Sequence, residues 1–236
     1  MPSQFNQQFA VVLPAGGLGR RMGSQLPKQL LPLQGKPVYR YALETFLSLD
    51  EIAEVALVVP EDWKEHFETE INASNLPNKQ RKKLKIIIGG AERWQSVRHG
   101  VEALSSQAKY VLVHDVARPF ISKALLQQVF ETLLSKGSCI VAKECADTVK
   151  IVGDGIIEKT IDRKKVWLAQ TPQSASVELL KELYAKIDES PLDFLPTDEA
   201  SILEHFGEKI FIVPGNSQND KLTTPEDFER FSNLKF

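Results

Sequence analysis

The stretch Leu13-Pro14-Ala15-Gly16-Gly17-Leu18-Gly19-Arg20-Arg21-Met22, followed by Pro27-Lys28-Gln29, decides the reading of this chain. The residues leading into it, Phe9-Ala10-Val11-Val12-Leu13, form an apolar run of strand length. The run ends in a turn with three glycines, which let the backbone bend and aim N–H groups at an anion with no Cβ in the way. Two arginines and then Lys28 add full positive charge at the same place. A strand, a glycine turn and clustered cations together read as a polyphosphate cradle. The bland alternative is a tight strand-to-helix turn with exposed basic residues.

The turn is neither a Walker A loop nor a good dinucleotide fingerprint. Met22 stands where the third fingerprint glycine belongs, and no Gly-Lys-Ser/Thr ending is present. The net charge of −2 leaves no global attraction for nucleic acid or an anionic membrane, so any anion site must be local. The 236 residues suit one large α/β domain or two small ones. Cys139 and Cys145 fit neither a C-x-x-C motif nor a disulfide framework and suit a reducing compartment. No signal-peptide pattern and no apolar run of membrane-spanning length occurs, so a cytoplasmic protein is expected.

Short apolar runs alternate with amphipathic ones. Strands are predicted at 9–13, 54–59, 85–88, 110–114, 138–142 and 209–213. Helices are predicted at 38–49, 91–104, 122–136, 177–187, 197–206 and 225–234, with Ser122 and Thr224 as caps and Gly137 as a stop. Such alternation implies a parallel sheet with right-handed crossovers and a ligand at the carboxyl ends of the strands. Gly16 to Arg21, Gly89, Gly90 and Asp115 all fall just past predicted strand ends. The segment 147–162 breaks the pattern: two alternating runs flank Gly153-Asp154-Gly155, a hairpin signal. A two-stranded ribbon is marginal alone in water, which makes a second subunit the obvious candidate to cover it, with packing on its own domain the duller alternative. The lysine-rich stretch 78–85 reads as a solvated loop and strand entry and not as a nucleic-acid patch, since no aromatics interleave it.

Tyr110-Val111-Leu112-Val113 delivers His114-Asp115-Val116-Ala117-Arg118-Pro119 to the sheet edge. An acid beside a phosphate cradle suggests a Mg2+ ligand, because Mg2+ favours one or two carboxylates plus phosphate oxygens. Asp115 could instead cap a loop or pair with Arg118. His114 is expected to point to the opposite face and be structural. Three later segments stand out: Asp162-Arg163 with Gln170-Thr171-Pro172-Gln173, Thr197-Asp198-Glu199-Ala200, and Lys221-Leu222-Thr223.

The ordered set of these motifs, from residue 9 to residue 230, resembles the 2-C-methyl-D-erythritol 4-phosphate cytidylyltransferases of the non-mevalonate route to isoprenoids. The resemblance implies one Rossmann-like nucleotidyltransferase domain over 1–236. Its sheet would be mixed but mainly parallel and flanked by helices, with 142–167 a β-hairpin dimerisation arm. It implies transfer of CMP from CTP to the sugar phosphate, a divalent cation, and a homodimer. By position, Arg21 and Lys28 would stabilise the transition state, and Arg163 and Lys221 would place the incoming phosphate. Pro14, Ala15, Gly16, Gly17, Gly19 and Gly89 would line the nucleotide cradle. Ala15, Gly90 and Ser96 would read the cytosine, with Ala91 beside them. Asp115, Arg118, Thr148, Thr171 and Thr197 would line the sugar-phosphate site or the metal. The chain departs from the commoner family pattern at Gly16 and at Ala91, where alanine and aspartate are frequent.

The nucleophile in such a reaction is a phosphate oxygen, already ionised near neutral pH, so no general base is needed. Positioning and electrostatics must do the work. The nearest rival is ribitol 5-phosphate cytidylyltransferase, which shares the glycine loop and the His-Asp-x-x-Arg-Pro motif. More distant ones are another sugar-phosphate nucleotidyltransferase and a non-catalytic nucleotide-binding module. A nucleic-acid binder is disfavoured by charge.

Overall fold

Alternating side chains along the first strand sort the core into two layers. The structure, a computed structural model, describes residues 8–17 and 26–233. Its first half runs β1 (Phe9–Pro14), β2 (Pro32–Leu33), β3 (Lys36–Pro37), α1 (Val38–Leu47), β4 (Ile52–Val59), α2 (Lys64–Ala73), α3 (Asn78–Arg81), β5 (Leu84–Ile88) and α4 (Arg93–Glu102). Then come β6 (Tyr110–Val113), α5 (Lys123–Lys136), β7 (Cys139–Glu144), β8 (Val149–Gly153), β9 (Ile156–Ile161) and β10 (Trp167–Ser176). The chain closes with α6 (Val177–Glu189), α7 (Glu199–His205), β11 (Phe211–Pro214) and α8 (Pro225–Ser232).

Seven strands form one sheet in the order β11-β7-β10-β6-β1-β4-β5. Phe9, Val11 and Leu13 of β1 bury against α1 and α5, while Ala10 and Val12 bury against α4 and α6. With both faces covered, β1 is apolar throughout, as a central parallel strand requires. β1 pairs in parallel with β4 and β6. The chain leaves β1 toward β4 and β5, then crosses to β6 on the other side, so a crevice opens at the carboxyl ends of β1 and β6.

β10 is the strand that sequence periodicity misses. It lies antiparallel between β6 and β7 and makes the sheet mixed. Its Gln170, Thr171, Gln173 and Ser174 are buried polar residues, so the apolar alternation that marks a strand is absent. α2 is missed because it buries only Phe67 and Ile71. α3 corrects the loop part of the reading of 78–85: Asn78–Arg81 is a short helix, and Lys83 beyond it is buried and donates to the Leu49 carbonyl, while the expected strand entry is met by β5 from Leu84.

The hairpin signal is borne out locally. Asp154 and Gly155 have φ of 50° and 78°, the left-handed pair of a two-residue turn, and β8 pairs only with β9. The ribbon leaves the sheet beyond the Cys145 N–H to Val166 carbonyl bond. Val152, Ile156 and Ile157 on it are 55, 71 and 60% exposed.

Helix α4 approaches β1 and β4 closely at Gly100. A Cβ there would stand 2.5 Å from Val12 Cγ1 and 2.9 Å from Val58 Cγ2. Alanine gains about 1 kcal/mol of helix propensity. Overpacking a rigid sheet face costs about 1–3 kcal/mol. Because both neighbours are β-branched and buried, we expect the clash to win, with Gly100→Ala losing about 1–2 kcal/mol in urea unfolding. A raised urea midpoint would contradict this packing.

Candidate functional site

The crevice between β1 and β6 contains a cavity of about 240 Å³. Four loops build its wall. Pro14, Gly16, Gly17 and Lys28 come from the loop after β1, and Gly89, Gly90, Ala91 and Ser96 from the β5–α4 turn. Asp115 follows β6, and Lys221 precedes α8. The fold thus gathers ten sequence-predicted residues into one place. Ala15 is fully buried just behind them, its N–H bonded to the Val58 carbonyl.

The glycines do two different jobs. Among the described residues a Cβ on Gly16 would meet nothing within 4 Å, so no described side chain demands glycine there, and its backbone lines the cavity. At Gly89 a Cβ would stand 2.7 Å from Ser96 Oγ, and at Gly90 2.5 Å from Gln95 Cβ. Those two are glycines because the start of α4 packs against the turn. Ser96 Oγ accepts from the Gly90 N–H at 3.1 Å and lies 3.2 Å from the Glu92 carbonyl, so it holds the turn in shape.

Asp115 is the electrostatic centre. Its Oδ1 accepts from Arg93 Nε and Nη2 at 3.2 and 3.0 Å, and its Oδ2 from Lys221 Nζ at 2.6 Å. Burial pushes the Asp115 carboxyl up, but the Arg93 and Lys221 charges beside it hold it well below the usual carboxylate range. Arg93 also binds Glu199 with both Nη atoms, at 2.8 and 3.1 Å. Burial raises Glu199, partly offset by the Arg93 charge.

His114 lies beneath this cluster, as its strand position predicts. It is fully buried, with its ring 5.2 Å from that of Phe46. Nε2 is 3.0 Å from the Arg118 carbonyl, which only accepts, so Nε2 carries the proton. Nδ1 then accepts from Thr171 Oγ1 at 3.0 Å, while that hydroxyl accepts from the Asp115 N–H. Thr171 therefore orients Asp115 from below and does not line the cavity. Arg118 is also buried, its guanidinium donating to the Asn219 and Ala169 carbonyls at 2.9 and 3.3 Å. It straps the 219–222 loop to β10 and does not pair its side chain with Asp115 through a hydrogen bond.

That loop carries Lys221 and is fixed by Leu222. Leu222 is fully buried with Leu33, Val38, Phe120 and Phe231. Its N–H reaches the Ala117 carbonyl at 2.7 Å, and its own carbonyl accepts from Lys28 Nζ at 2.9 Å. Lys28, 8% exposed, and Lys221 thus converge from either side of one anchored residue.

Other expected residues lie elsewhere. Arg163 is exposed in a short turn after β9 and donates to the Ala146 carbonyl at 2.7 Å. Thr148 is exposed at the root of the ribbon, and Thr197 is exposed before Asp198, the N-cap of α7. Gly19 and Arg21 lie outside the described residues.

The reading from sequence missed Arg93, Glu199 and Gln29. A signal for Arg93 existed: it opens a helix, where the positive end of the dipole disfavours a cation. Gln29 lines the cavity, donates to the Gly17 carbonyl at 2.8 Å, and keeps a buried Oε1 with no partner.

Among the described residues no group of three or more His, Cys, Asp or Glu could hold a metal by itself. A lone carboxylate beside a phosphate pocket fits Mg2+, which takes most ligands from phosphate and water. Asp115 Oδ2 accepts one bond from Lys221 and retains a second lone pair for such an ion.

A mixed sheet whose carboxyl edge presents an open glycine turn, converging lysines and an ion-paired aspartate defines a nucleotidyltransferase. The family model for 2-C-methyl-D-erythritol 4-phosphate cytidylyltransferase matches residues 9–233. The chain is 38% identical to the enzyme of that name from Syntrophus aciditrophicus, over 93% of this chain and 92% of the relative. It is 39% identical to the one from Lachnospira eligens, over 93 and 95%. The solved 4-diphosphocytidyl-2C-methyl-D-erythritol synthase of Anaerococcus prevotii superposes with a TM-score of 0.80 at 29% identity, covering 95 and 96% of the two chains. The chain belongs to the 2-C-methyl-D-erythritol 4-phosphate cytidylyltransferase family.

Burial of His114 has a pH signature. An unfolded histidine takes its proton near 6.5, whereas burial lowers folded His114 to about 4. Between those values the unfolded state binds more protons, so stability falls as pH falls, by up to about 3 kcal/mol, and nothing changes above that window. We expect His114→Gln to flatten this fall in chemical unfolding in metal-free buffer. An unchanged slope would show that His114 is charged when folded.

Proposed function

We propose that the transfer of CMP from CTP to 2-C-methyl-D-erythritol 4-phosphate, giving 4-diphosphocytidyl-2-C-methyl-D-erythritol and pyrophosphate, proceeds in this chain by held charge and without a general base. The observation that carries the reading is that Lys28, Lys221 and Asp115 line one cavity with the glycine turn at Gly16 and Gly17. The histidine beneath the site, His114, is buried and neutral at pH 7 with both nitrogens engaged, so it cannot collect a proton. The attacking phosphate needs no such help.

In this proposal Gly16, Gly17 and Gly19 cradle the triphosphate, with Pro14 and Ala15 supporting the turn. The 89–91 turn, held by Ser96, faces the base. Lys28 and Arg21 stabilise charge at the α-phosphorus, and Lys221 takes the incoming phosphate. Enzymes of this class generally use a divalent cation. We assign Mg2+ to Asp115 and the phosphates, where it would neutralise negative charge as the two anions meet. Arg118 and Thr171 support the acceptor side through the loops they fix.

The same proposal takes 1–236 as one domain with 142–167 as its arm, acting as a cytoplasmic homodimer. Support comes from the exposed isoleucines of the ribbon and from the marginal stability of two strands alone. No helix among the described residues is long and apolar enough to cross a membrane. On a partner, the arm would bring Arg163, Thr148 or both to the neighbouring acceptor site. Thr197 would line that site from the start of α7.

Pyrophosphate release with each nucleoside triphosphate, against methylerythritol phosphate or ribitol phosphate, tests the reaction. CTP with methylerythritol phosphate should be preferred, with UTP at least about tenfold worse because an unpaired buried group costs about 1–3 kcal/mol. Excess EDTA should abolish turnover. Preference for ribitol phosphate, equal use of UTP, or full activity in EDTA would each remove the corresponding part of the reading.

Assembly is tested by complementation. Lys28→Ala and Arg163→Ala should each lower kcat by about 10²-fold. If Arg163 acts across the dimer, mixing the two variants should restore about a quarter of wild-type activity, because half the dimers are mixed and each has one intact site. No recovery on mixing, or a fully active monomer, would contradict the exchanged arm.

A further inference from the structure

Arg93 lines the cavity, yet its donors point mostly into the protein. Four of its five N–H groups are spent, on Asp115 Oδ1 through Nε and Nη2 and on Glu199 through Nη1 and Nη2. Its side chain is 27% exposed, while that of Glu199 is 1% exposed. A guanidinium so occupied has one N–H left for a ligand, so direct phosphate binding is not what the geometry serves. A planar fork gripping two carboxylates is a task for arginine and not for lysine.

The placement is expensive. Arg93 opens α4, where the helix dipole opposes a cation, and Glu199 opens α7 in the interior. A buried ion pair is weak evidence for stability, since apolar residues of similar volume often do as well. A role in geometry accounts for it better. Asp115 also holds Lys221 Nζ at 2.6 Å on its second oxygen, so the chain Glu199–Arg93–Asp115–Lys221 runs from the interior to the cavity. Two anions alternate with two cations along it, and the set is neutral.

We propose that Arg93 is a positioning residue: clamped from behind by Glu199, it fixes the Asp115 carboxylate, and Asp115 in turn holds the Lys221 ammonium at the cavity wall. The consequence for turnover rests on the reading of Lys221 as the ligand of the incoming phosphate. The clamp itself does not.

Removing Arg93 alone strands Glu199, so the test uses Arg93→Lys, Glu199→Gln and the double variant Arg93→Met with Glu199→Gln, which removes both charges together. Circular dichroism and thermal melts establish that each is folded. In each, KM for methylerythritol phosphate, measured with CTP and Mg2+ saturating, should rise about tenfold. In a Lys221→Ala background Arg93→Lys should add no further rise, since residues acting as one unit are not additive. An unchanged KM for methylerythritol phosphate in the three variants, or effects of Arg93→Lys and Lys221→Ala that multiply, would overturn the proposal. Crystal structures of the unliganded variants give the second readout. The account expects a turned Asp115 carboxylate and a broken Asp115–Lys221 bond, and an undisturbed pair overturns it whatever the kinetics. A broken pair together with a normal sugar-phosphate KM in Lys221→Ala would refute the assigned role of Lys221 and leave the clamp standing.

Discussion

One carboxylate holds the site together. Asp115 sits at the end of β6, in the crevice where the chain changes direction, and is shared by Arg93 and Lys221. Its charge is the reason that a half-buried arginine and a loop lysine can lie near one another in a pocket meant for phosphates. Without it the two cations would repel, and the Lys221 ammonium would lose its partner at the sheet edge. The layers below serve this arrangement: Thr171 accepts from the Asp115 N–H, His114 accepts from Thr171, and the Arg118 carbonyl takes the His114 proton. A neutral histidine is the right choice there, because an imidazolium would add a cation under a cluster already balanced.

Anchoring extends to the second lysine through an apolar contact. Leu222 is buried against Leu33, Phe120 and Phe231, which belong to the small β2–β3 hairpin, the loop after β6 and helix α8. Its carbonyl receives Lys28 while the next residue back is Lys221. A hydrophobic cluster remote from the sheet core thereby sets the spacing of two charges, and the last helix of the chain contributes to the site without touching it.

Much of this was legible from sequence where the physics is local. Glycines after an apolar run, a capped helix at Ser122, and Gly153-Asp154-Gly155 each announce their conformation within a few residues. Ten of the motif residues meet at one cavity because strand ends in an α/β sheet share an edge. The rest depended on distant partners. β10 hides because its buried Gln170, Thr171 and Gln173 find their partners on other elements, as Gln173 does with Asp198 and the Ala200 N–H. Glu199 reads as an ordinary first-turn acid, and only packing reveals that it is buried and paired with a residue 106 positions away. Arg118 and Thr171 carry the family motif, yet their bonds go to backbone and to Asp115, so a motif residue need not be a contact residue.

The central claim is that this site works by charge held in place and transfers no proton to a protein base. The pH dependence of kcat/KM for the sugar phosphate tests it most directly. The account predicts a single rise with an apparent pKa of about 6, that of the phosphate monoester itself, and a plateau up to about pH 9, where lysines begin to titrate. A second ionisation on the rising limb, carried by the protein and abolished by a single substitution, would mean that a general base takes part and would contradict the account.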